Sequence, residues 1–165
     1  QEFGEAEQQA RQKLEKLLNV NGSQTAASFH KRLGKIMWDH CGMQRSEQGL
    51  QQAREEVRQL KEEFWRDVQV PGTMDEVNQE LEKATRVADF LDFSQLLVED
   101  ALNRKESCGA HFREEYQTEA GEALRDDKNY MYVAAWEYQG EDQMPKLHKE
   151  ELKYEFVEVK VRSYK

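Results

Sequence analysis

Cysteine is scarce in this sequence of 165 residues, which contains only Cys41 and Cys108. The two thiols lie far apart, and neither belongs to a Cys-x-x-Cys pair, so they indicate neither a disulfide framework nor a paired metal motif. Reduced thiols in a cytoplasmic setting fit this pattern best. A chain of this length can bury a core without a disulfide or a metal.

Metal-ligand and phosphate-binding patterns are also missing. The four histidines stand too far apart to place two imidazoles at ligand spacing on one helix face: His30, His40, His111 and His148. Gly34, Gly42 and Gly49 are scattered through helical patterns with no strand before them, which excludes a glycine-rich phosphate loop. We therefore predict no metal site and no nucleotide cradle in this chain.

The sequence has no long apolar run and no excess of positive charge. Its longest unbroken apolar run, residues 130–136, is far below the roughly 18 residues of a membrane-spanning helix, and no leader-like segment starts the chain. The net charge of −9 argues against nucleic acid, because clustered Lys and Arg supply that affinity. Neither nucleic-acid binding nor direct membrane insertion is expected.

The sequence does have apolar residues at helical spacing on charged surfaces. Steps of three and four residues predict a first helix over residues 3–20, a second over residues 25–41 ending at Gly42, and a third capped by Ser46. The third has a nearly strict heptad seam: Leu50, Ala53, Val57, Leu60, Phe64 and Val68. An intramolecular bundle explains this seam better than recruitment of another chain.

A fourth helix is predicted after the break at Pro71 and Gly72. Thr73 and Glu76 have the spacing of a capping box, so we expect the helix to begin there and to run to about Asn103. Apolar residues spread over more than one face of its second half, including Phe90, Phe93 and Leu97. This half is therefore expected to contact something besides its bundle partners.

Short strands and turns are predicted after residue 105. Residues 126–129 have the composition of a turn, residues 130–138 that of a strand, and residues 139–146 that of a loop. A second strand is expected within residues 147–164, whose second half alternates over residues 154–161. The fold class is thus mainly α: a three-helix, spectrin-like up-down bundle (residues 1–105) with an extra N-terminal helix. Residues 106–165 are predicted to add a turn and a small antiparallel β segment to the same domain.

The turn at residues 104–111 holds the densest set of chemically active groups. Cys108 and His111 could form a nucleophile pair, but three residues across a glycine turn rarely present both side chains to one substrate, and no third group orients them. A packed thiol and a hydrogen-bonded imidazole are the favoured alternative. No catalytic residue is assigned.

Three motifs carry a family resemblance: Arg104-x-Glu106-Ser107-x-Gly109-Ala110-His111, Arg125-Asp126-Asp127-x-Asn129-Tyr130 and Arg162-Ser163-Tyr164. Together with Met37, Gly42 and Arg45, they resemble the C-terminal domain of succinate dehydrogenase and fumarate reductase flavoprotein subunits, over residues 29–164. Residues 34–43 and 116–124 look most like the Bacteroidetes-type succinate dehydrogenase flavoprotein. Cys108 stands where many members have Arg, and it cannot offer the forked donor of that Arg.

The resemblance implies a domain packed on the FAD domain of a longer polypeptide, and the start at Gln1 without methionine fits such a piece. FAD and the catalytic residues would lie in the other domain, so the chain alone is expected to bind no cofactor and to be inactive. Implied partners are that FAD domain, an iron–sulfur subunit and a membrane cytochrome b subunit, peripheral on the inner face of a bacterial cytoplasmic membrane.

Interdomain docking is expected from residues around the turn, with Gly109 and Ala110 permitting close backbone approach and Glu106, Ser107 and His111 bonding across the interface. The predicted docking residues are Arg104, Glu106, Ser107, Cys108, Gly109, Ala110, His111, Arg113, Arg125, Asp126 and Asp127. Two alternatives remain open at this point. The chain could be a stand-alone helical adaptor, or the equivalent domain of L-aspartate oxidase.

Overall fold

The computed structural model describes residues 2–140 and 143–161, which form four long helices, one short helix and six strands. The helices are α1 (Glu2–Asn19), α2 (Ala26–Cys41), α3 (Glu47–Asp67), α4 (Gln79–Asn103) and the single turn α5 (Asp127–Tyr130). The strands are β1 (Gln24–Thr25), β2 (Gln44–Arg45), β3 (Val68–Gln69), β4 (Phe112–Arg113), β5 (Tyr132–Glu137) and β6 (Lys146–Glu151). The predicted fold class is confirmed.

Helices α2, α3 and α4 bury their apolar faces against one another. Phe29 of α2 meets Phe64 of α3 edge to face, with ring centroids 5.3 Å apart. The seam predicted for α3 is buried along its whole length, and its Leu, Val and Phe side chains each contribute roughly 1.5–3 kcal/mol through burial. The main core consists of Leu17, Ala26, Phe29, Leu33, Val57, Leu60, Phe64, Val68, Val70, Leu81, Ala84, Val87, Ala88 and Leu91.

Side-chain caps begin α2 and α3 near the predicted starts, although only the cap at Ser46 was itself predicted. Thr25 precedes α2, and its hydroxyl accepts a hydrogen bond from the backbone N–H of Ser28 at 3.2 Å. Ser46 does the same for α3, accepting from the N–H of Gly49 at 3.1 Å. Each hydroxyl satisfies an amide that has no partner within its helix, which fixes both helix starts.

The predicted start of α4 is wrong. Asn78, not Thr73, caps the helix: its Oδ1 accepts from the N–H of Leu81 at 3.0 Å. Its Nδ2 also donates to the backbone oxygens of Pro71 at 2.9 Å and Thr73 at 3.2 Å. Because one amide side chain ties the preceding loop to the first turn, the helix begins at Gln79 instead of near residue 74.

Helix α1 joins the bundle along one edge, as expected for the extra N-terminal helix. Only Leu17 of α1 is buried among its described residues, while Lys13 pairs with Asp89 of α4 at 2.6 Å. The Lys16 ammonium lies 4.4 Å from the ring centroid of Trp65 on α3. Such exposed contacts are individually worth well under about 1 kcal/mol, so α1 depends chiefly on Leu17 and its neighbours.

Two short parallel pairings that the sequence did not predict connect distant segments. Strand β1 pairs with β3, which joins the α1–α2 connection to the end of α3. Strand β2 pairs with β4, so that Gln44 lies opposite Phe112 and Arg45 opposite Arg113. The second pairing fixes the α2–α3 connection beside the segment that follows α4.

Strands β5 and β6 form the predicted antiparallel ribbon, with Trp136 opposite Leu147 and Tyr132 opposite Glu151. Trp136 Nε1 donates to Asp100 Oδ1 of α4 at 2.8 Å, so this face of β5 lies on the bundle. The turn predicted at residues 126–129 is instead the beginning of α5, which Asp126 caps. Strand β5 therefore starts two residues later than predicted.

The second strand lies at the beginning of the predicted segment, residues 147–164, and not in its alternating half. It is β6, at Lys146–Glu151, and no strand is assigned to residues 152–161. The alternating residues there are exposed, with Phe156 at 88%. Alternation signals a half-buried strand only where a sheet edge lies beside it, and β5 already pairs with β6. Residues 162–165, which include the third family motif, lie outside the described residues.

Within the described ranges, no helix combines the length and the apolar character needed to cross a bilayer.

Candidate interdomain docking turn

The turn at residues 108–111 is a tight β-hairpin. The backbone N–H of Cys108 donates to the carbonyl of His111 at 2.8 Å, and the N–H of His111 donates back to Cys108 at 3.1 Å. Gly109 has φ +60°, whereas Ala110 does not have a positive φ, which is the pattern of a type II′ turn. Both residues are exposed, and a Cβ added at Gly109 would meet nothing within 4 Å. The tip, formed by Gly109 and Ala110, is therefore exposed, and no side chain of the described residues fills the space beside Gly109.

The base of the turn is buried. The Ser107 hydroxyl accepts from the backbone N–H of Arg113 at 2.8 Å and donates to its carbonyl at 3.1 Å. The Arg113 side chain has 0% exposure, and it donates from Nη1 to the carbonyl of Ala101 at 3.0 Å and from Nε to Glu115 Oε2 at 3.1 Å. Arg113 Nη2 is buried without a hydrogen-bond partner among the described residues. These bonds attach the turn to the end of α4.

Glu106 and Arg104 tie the turn to the ribbon. Glu106 Oε1 accepts from Arg104 Nη1 at 3.0 Å, and its Oε2 accepts from the backbone N–H of Asp126 at 2.8 Å. Arg104 Nη2 lies 3.2 Å from the carbonyl of Tyr130 and 3.4 Å from that of Tyr132. A buried carboxylate with a guanidinium and an amide as donors is fully compensated, so this pair stabilises the junction.

His111 bridges two arginine-bearing segments. Its Nδ1 lies 2.9 Å from Nη1 of Arg45 on β2, and its Nε2 lies 2.8 Å from the carbonyl of Arg104 at the end of α4. Burial lowers the pKa of His111, and the charges of Arg45, Arg113 and Arg104 lower it further, while the bond to the Arg104 carbonyl opposes them. Both ring nitrogens are occupied within the chain.

The remaining predicted docking residues lie along one side of the junction. Cys108 is half-buried, and Arg125 donates from Nε to Asp127 Oδ1 at 3.0 Å. This hydrogen bond raises the pKa of Arg125. Asp126 accepts from the N–H of Asn129 at 3.2 Å and so begins α5. The structure thus brings all eleven predicted residues into one junction, but the side chains of Glu106, Ser107 and His111 bond inward. Whether the junction docks on another domain stays a prediction.

A Cys–His nucleophile pair finds no support in this geometry. Both nitrogens of His111 are held by Arg45 and the Arg104 carbonyl, so neither can take a proton from Cys108. Burial raises the pKa of the other thiol, Cys41, which makes it a poor nucleophile. Over residues 2–140 and 143–161, no three His, Cys, Asp or Glu side chains converge as metal ligands would.

Two residues of this junction were absent from the predicted docking set. Arg45 donates from Nε to the carbonyl of Gly42 at 2.8 Å as well as contacting His111. The carboxylate of Glu115 accepts from the N–H of Glu47, in the first turn of α3, at 2.6 Å. The motif that includes Met37 and Gly42 already pointed to Arg45. Nothing in the local sequence distinguishes Glu115 from the other exposed acids.

The family described as "fumarate reductase flavoprotein C-term" matches residues 30–164, which contain the bundle, the junction and the ribbon. The chain belongs to this family. The predicted resemblance over residues 29–164 is confirmed in nearly the same range, and the chain is the C-terminal domain of a fumarate reductase or succinate dehydrogenase flavoprotein subunit.

Individual relatives agree with the family. The fumarate reductase flavoprotein subunit of Proteus vulgaris is 32% identical over 118 residues, which are 72% of this chain and 19% of that protein. An uncharacterized FAD-dependent oxidoreductase of Methanocaldococcus jannaschii is 33% identical over 112 residues, covering 68% of this chain and 20% of that protein. This flavoprotein C-terminal domain therefore spans about a fifth of the length of these relatives.

A solved structure of Escherichia coli quinol fumarate reductase FrdA has the same fold. The match has a TM-score of 0.77 at 26% identity, and it covers 93% of this flavoprotein domain and 26% of that chain. The coverage includes more than the helical bundle, because the bundle ends near residue 103. The arrangement of bundle, junction and ribbon is thus shared.

Proposed function

We propose that this chain supports interconversion of succinate and fumarate by packing, as a C-terminal domain, on the FAD-binding part of the same polypeptide. The observation that carries the proposal is the family match over residues 30–164 combined with an exposed backbone tip at Gly109 and Ala110. A glycine followed by alanine lets two backbones approach closely, which larger side chains would prevent. The tip is the contact point with the FAD domain.

A second exposed surface supports docking. Phe90, Phe93 and Leu97, three and four residues apart on α4, form an apolar stripe with exposures of 42%, 57% and 43%. The ring of His30 on α2 lies 5.5 Å from that of Phe90 at its edge. Large apolar side chains at such spacing are typical of a helix face that another element covers. We assign the apolar stripe to the same interdomain contact.

The predicted docking residues have two different roles in the proposed contact. Three side chains form their hydrogen bonds inside the chain and hold the tip rigid: those of Glu106, Ser107 and His111. The contact itself is made by Cys108, Gly109 and Ala110. Preorganisation of this kind lowers the entropy lost on docking. Direct hydrogen bonds across the interface then come from backbone groups of the tip, not from the buried carboxylate or hydroxyl.

Cofactor and partners follow from the same assignment. FAD is held by the FAD-binding part and carries the hydride chemistry, so this chain supplies neither the cofactor site nor a catalytic group. Electrons pass to an iron–sulfur subunit and a membrane cytochrome b subunit, and the assembly lies peripherally on the inner face of a bacterial cytoplasmic membrane. The names of relatives as flavoproteins, and of a solved neighbour as quinol fumarate reductase, support this assignment.

The test uses the complete polypeptide encoded by the gene from which this chain comes. Gly109→Trp places a bulky side chain at the tip and should lower bound flavin and succinate-dependent dye reduction about tenfold or more, because an overpacked contact costs about 1–3 kcal/mol. Gly121→Trp is the matched control: Gly121 is also exposed, and its φ of +77° carries similar backbone strain. Both quantities are measured on the purified enzymes.

Equal flavin content and activity in the two variants would contradict docking through the tip.

A second measurement tests the proposal that the catalytic groups lie outside this chain. The 165-residue chain, mixed with FAD and succinate, should not reduce a redox dye, since the proposal places every catalytic group elsewhere. Turnover by the chain alone would overturn the proposal.

A further inference from the structure

His111 links three segments of the chain through the two nitrogens of its ring. The imidazole belongs to the hairpin, contacts Arg45 of β2 through Nδ1, and contacts the carbonyl of Arg104 at the end of α4 through Nε2. Arg45 in turn donates to the carbonyl of Gly42, where α2 ends. One side chain therefore connects the hairpin to the α2–α3 connection and to α4.

The two partners of His111 determine where its proton lies. A guanidinium can only donate, so Nδ1 must be the acceptor of the bond from Arg45. A carbonyl oxygen can only accept, so Nε2 must carry the hydrogen that it donates to Arg104. Both bonds exist together only in the neutral imidazole with its proton on Nε2. A second proton would remove the lone pair that Arg45 uses.

Within the described part of the chain, the charges that act on His111 are those of three arginines. Arg45 approaches from β2, Arg113 from β4 and Arg104 from the end of α4. The carboxylates of Glu106 and Glu115 are already bonded to Arg104 and Arg113. Across the hairpin lies Cys108, whose backbone pairs with that of His111. A protonated His111 would thus place a new positive charge beside Arg45, and the nearby carboxylates already pair with the other two arginines.

We propose that His111 is a proton-sensitive latch: the neutral imidazole fixes the Gly109 and Ala110 tip to the bundle, and protonation releases it. On protonation, the hydrogen on Nδ1 points at the Arg45 guanidinium, the bond is lost, and the ring turns away. The tip is then held only by the bonds of Ser107 and Arg113 at its base and by the β2–β4 pairing, and the backbone bonds between Cys108 and His111 open more readily. If the tip docks on the FAD-binding part, as proposed above, mild acid weakens that contact.

The direction of the pH dependence follows from linkage. An exposed histidine has a pKa of about 6.5, and in the latched state burial and the neighbouring cations lower the pKa of His111. The open state therefore binds a proton more readily. The latch is fully closed above about pH 6.5. Between the pKa of His111 in the open state and its pKa in the latched state, the equilibrium constant for opening rises about tenfold for each pH unit of acidification. Below the latched-state pKa the increase levels off.

The first test is the ring tautomer of His111 in the 165-residue chain. Nitrogen NMR of the imidazole at neutral pH should find the proton on Nε2 and none on Nδ1. A proton on Nδ1, or a doubly protonated ring, would overturn the latch because neither can accept from Arg45. A pH titration of the same nitrogen signals should show that Arg45→Gln moves the pKa of His111 back toward 6.5, since the facing cation is gone.

The second test is amide hydrogen exchange between pH 7.5 and 4.5, corrected for the intrinsic exchange rate. The Cys108 amide should exchange about tenfold faster per pH unit once the pH falls below about 6.5. His111→Gln should abolish this dependence, because a glutamine can accept and donate at once but does not titrate. The Leu60 amide, in the interior of α3 at a buried position of the core, serves as the reference for global unfolding.

The latch is overturned if His111→Gln keeps the pH dependence or if Leu60 exchange rises in parallel with Cys108. Every measurement uses the chain alone, so its outcome does not depend on docking. Failure of the latch with preserved sensitivity to Gly109→Trp in the complete enzyme would leave the docking proposal intact. The converse result would remove docking and leave the latch.

Discussion

Gly22 illustrates how one residue joins two distant segments of this chain. Its N–H donates to the carbonyl of Val68 at 3.0 Å, where α3 ends and β3 begins. A Cβ at this position would lie 2.0 Å from the backbone carbonyl carbon and oxygen of Asp67. No side chain fits there without separating the α1–α2 connection from α3. The requirement comes from close approach, not from an unusual φ.

Gly22→Ala and Gly34→Ala should change stability in opposite directions. Gly22→Ala should lower the free energy of unfolding by about 1–3 kcal/mol, because backbone must move to admit the methyl group. Gly34 lies in the interior of α2, where a Cβ would meet nothing within 4 Å, so Gly34→Ala should raise it by about 0.5–1 kcal/mol. Urea unfolding followed by circular dichroism measures both. Equal effects would contradict the close approach at Gly22.

Cys108 is the residue where the sequence departs from the family pattern, and the structure gives the departure a physical setting. The side chain is half-buried at the base of the exposed tip, beside residues whose polar groups already have partners. An arginine at this position would extend from the hairpin toward whatever covers the tip. In this chain a small thiol stands there instead, so docking through the tip, as proposed above, would depend more on the backbone of Gly109 and Ala110.

At the scale of elements, α4 shows how a cap decides where a helix begins. Thr73 and Glu76 have the spacing of a capping box, but the Thr73 hydroxyl only accepts from the N–H of Asp75 at 3.3 Å. Asn78 makes one bond to the helix and two to the loop before it. The three hydrogen bonds of Asn78 stabilise its helix start more than the capping box of Thr73 and Glu76 would stabilise the earlier one. Each of them satisfies a backbone group that the capping box would leave to water.

Asn78→Ala should therefore be more damaging than Thr73→Ala. Loss of the cap and of the loop contacts should lower the free energy of unfolding by about 1–2 kcal/mol. Thr73→Ala removes one long hydrogen bond in an exposed loop and should change it by less than about 0.5 kcal/mol. Thermal unfolding of the two variants distinguishes them. A larger effect at Thr73 would restore the capping box as the helix start.

At the scale of the whole molecule, the apolar stripe of α4 is a surface without a partner within the described chain. Its exposure does not weaken the bundle, because the opposite face of α4 carries the core residues Leu81, Val87, Leu91 and Val98. The exposed residues therefore have little to contribute to the stability of the chain alone. Their energetic value appears only when another domain removes them from water.

Phe93→Glu tests this separation of stability from docking. In the 165-residue chain it should leave the free energy of unfolding within about 0.5 kcal/mol of the original value, as expected for an exposed site. Binding to the separately produced FAD-binding part should weaken about tenfold or more, since a buried aromatic anchor is lost and a charge is added. Calorimetric titration measures this affinity.

Val77→Glu is the matched control for Phe93→Glu. Val77 is 96% exposed, outside the apolar stripe and before the start of α4. It should change neither stability nor affinity. An equal loss of affinity in the two variants would indicate a general effect of negative charge and would contradict docking through the stripe.

Much of the fold could be predicted from local pattern. The start of α3 was predicted because Ser46 acts on an amide three residues away, and the seam of α3 because burial follows the helical period. The start of α2 was predicted near residue 25, but its cap, Thr25, was not. The second strand does not lie in the alternating residues 154–161, because alternation says nothing about where a free edge lies. The pairing of β2 with β4 joins residues more than sixty positions apart and has no local signal.

The candidate site divides in the same way. The motif residues of the junction, from Arg104 to Asp127, were found in the sequence, and the structure brings them together. Their orientations were not predictable: Glu106 and Ser107 are buried, and His111 turns inward because Arg45 and the Arg104 carbonyl lie within reach. Glu115 was missed because its role depends on the position of the α3 N-terminus.

The sequence by itself determined the helical class, the bundle seam, the cap of α3, the family motifs and the glycine at the hairpin tip, since each rests on residues close together in the chain. Only the tertiary structure decided where α4 begins, which strand pairs with β5, and that His111 holds three segments at once. These features depend on groups from distant segments competing for the same hydrogen bonds, and folding alone determines which of them come within reach.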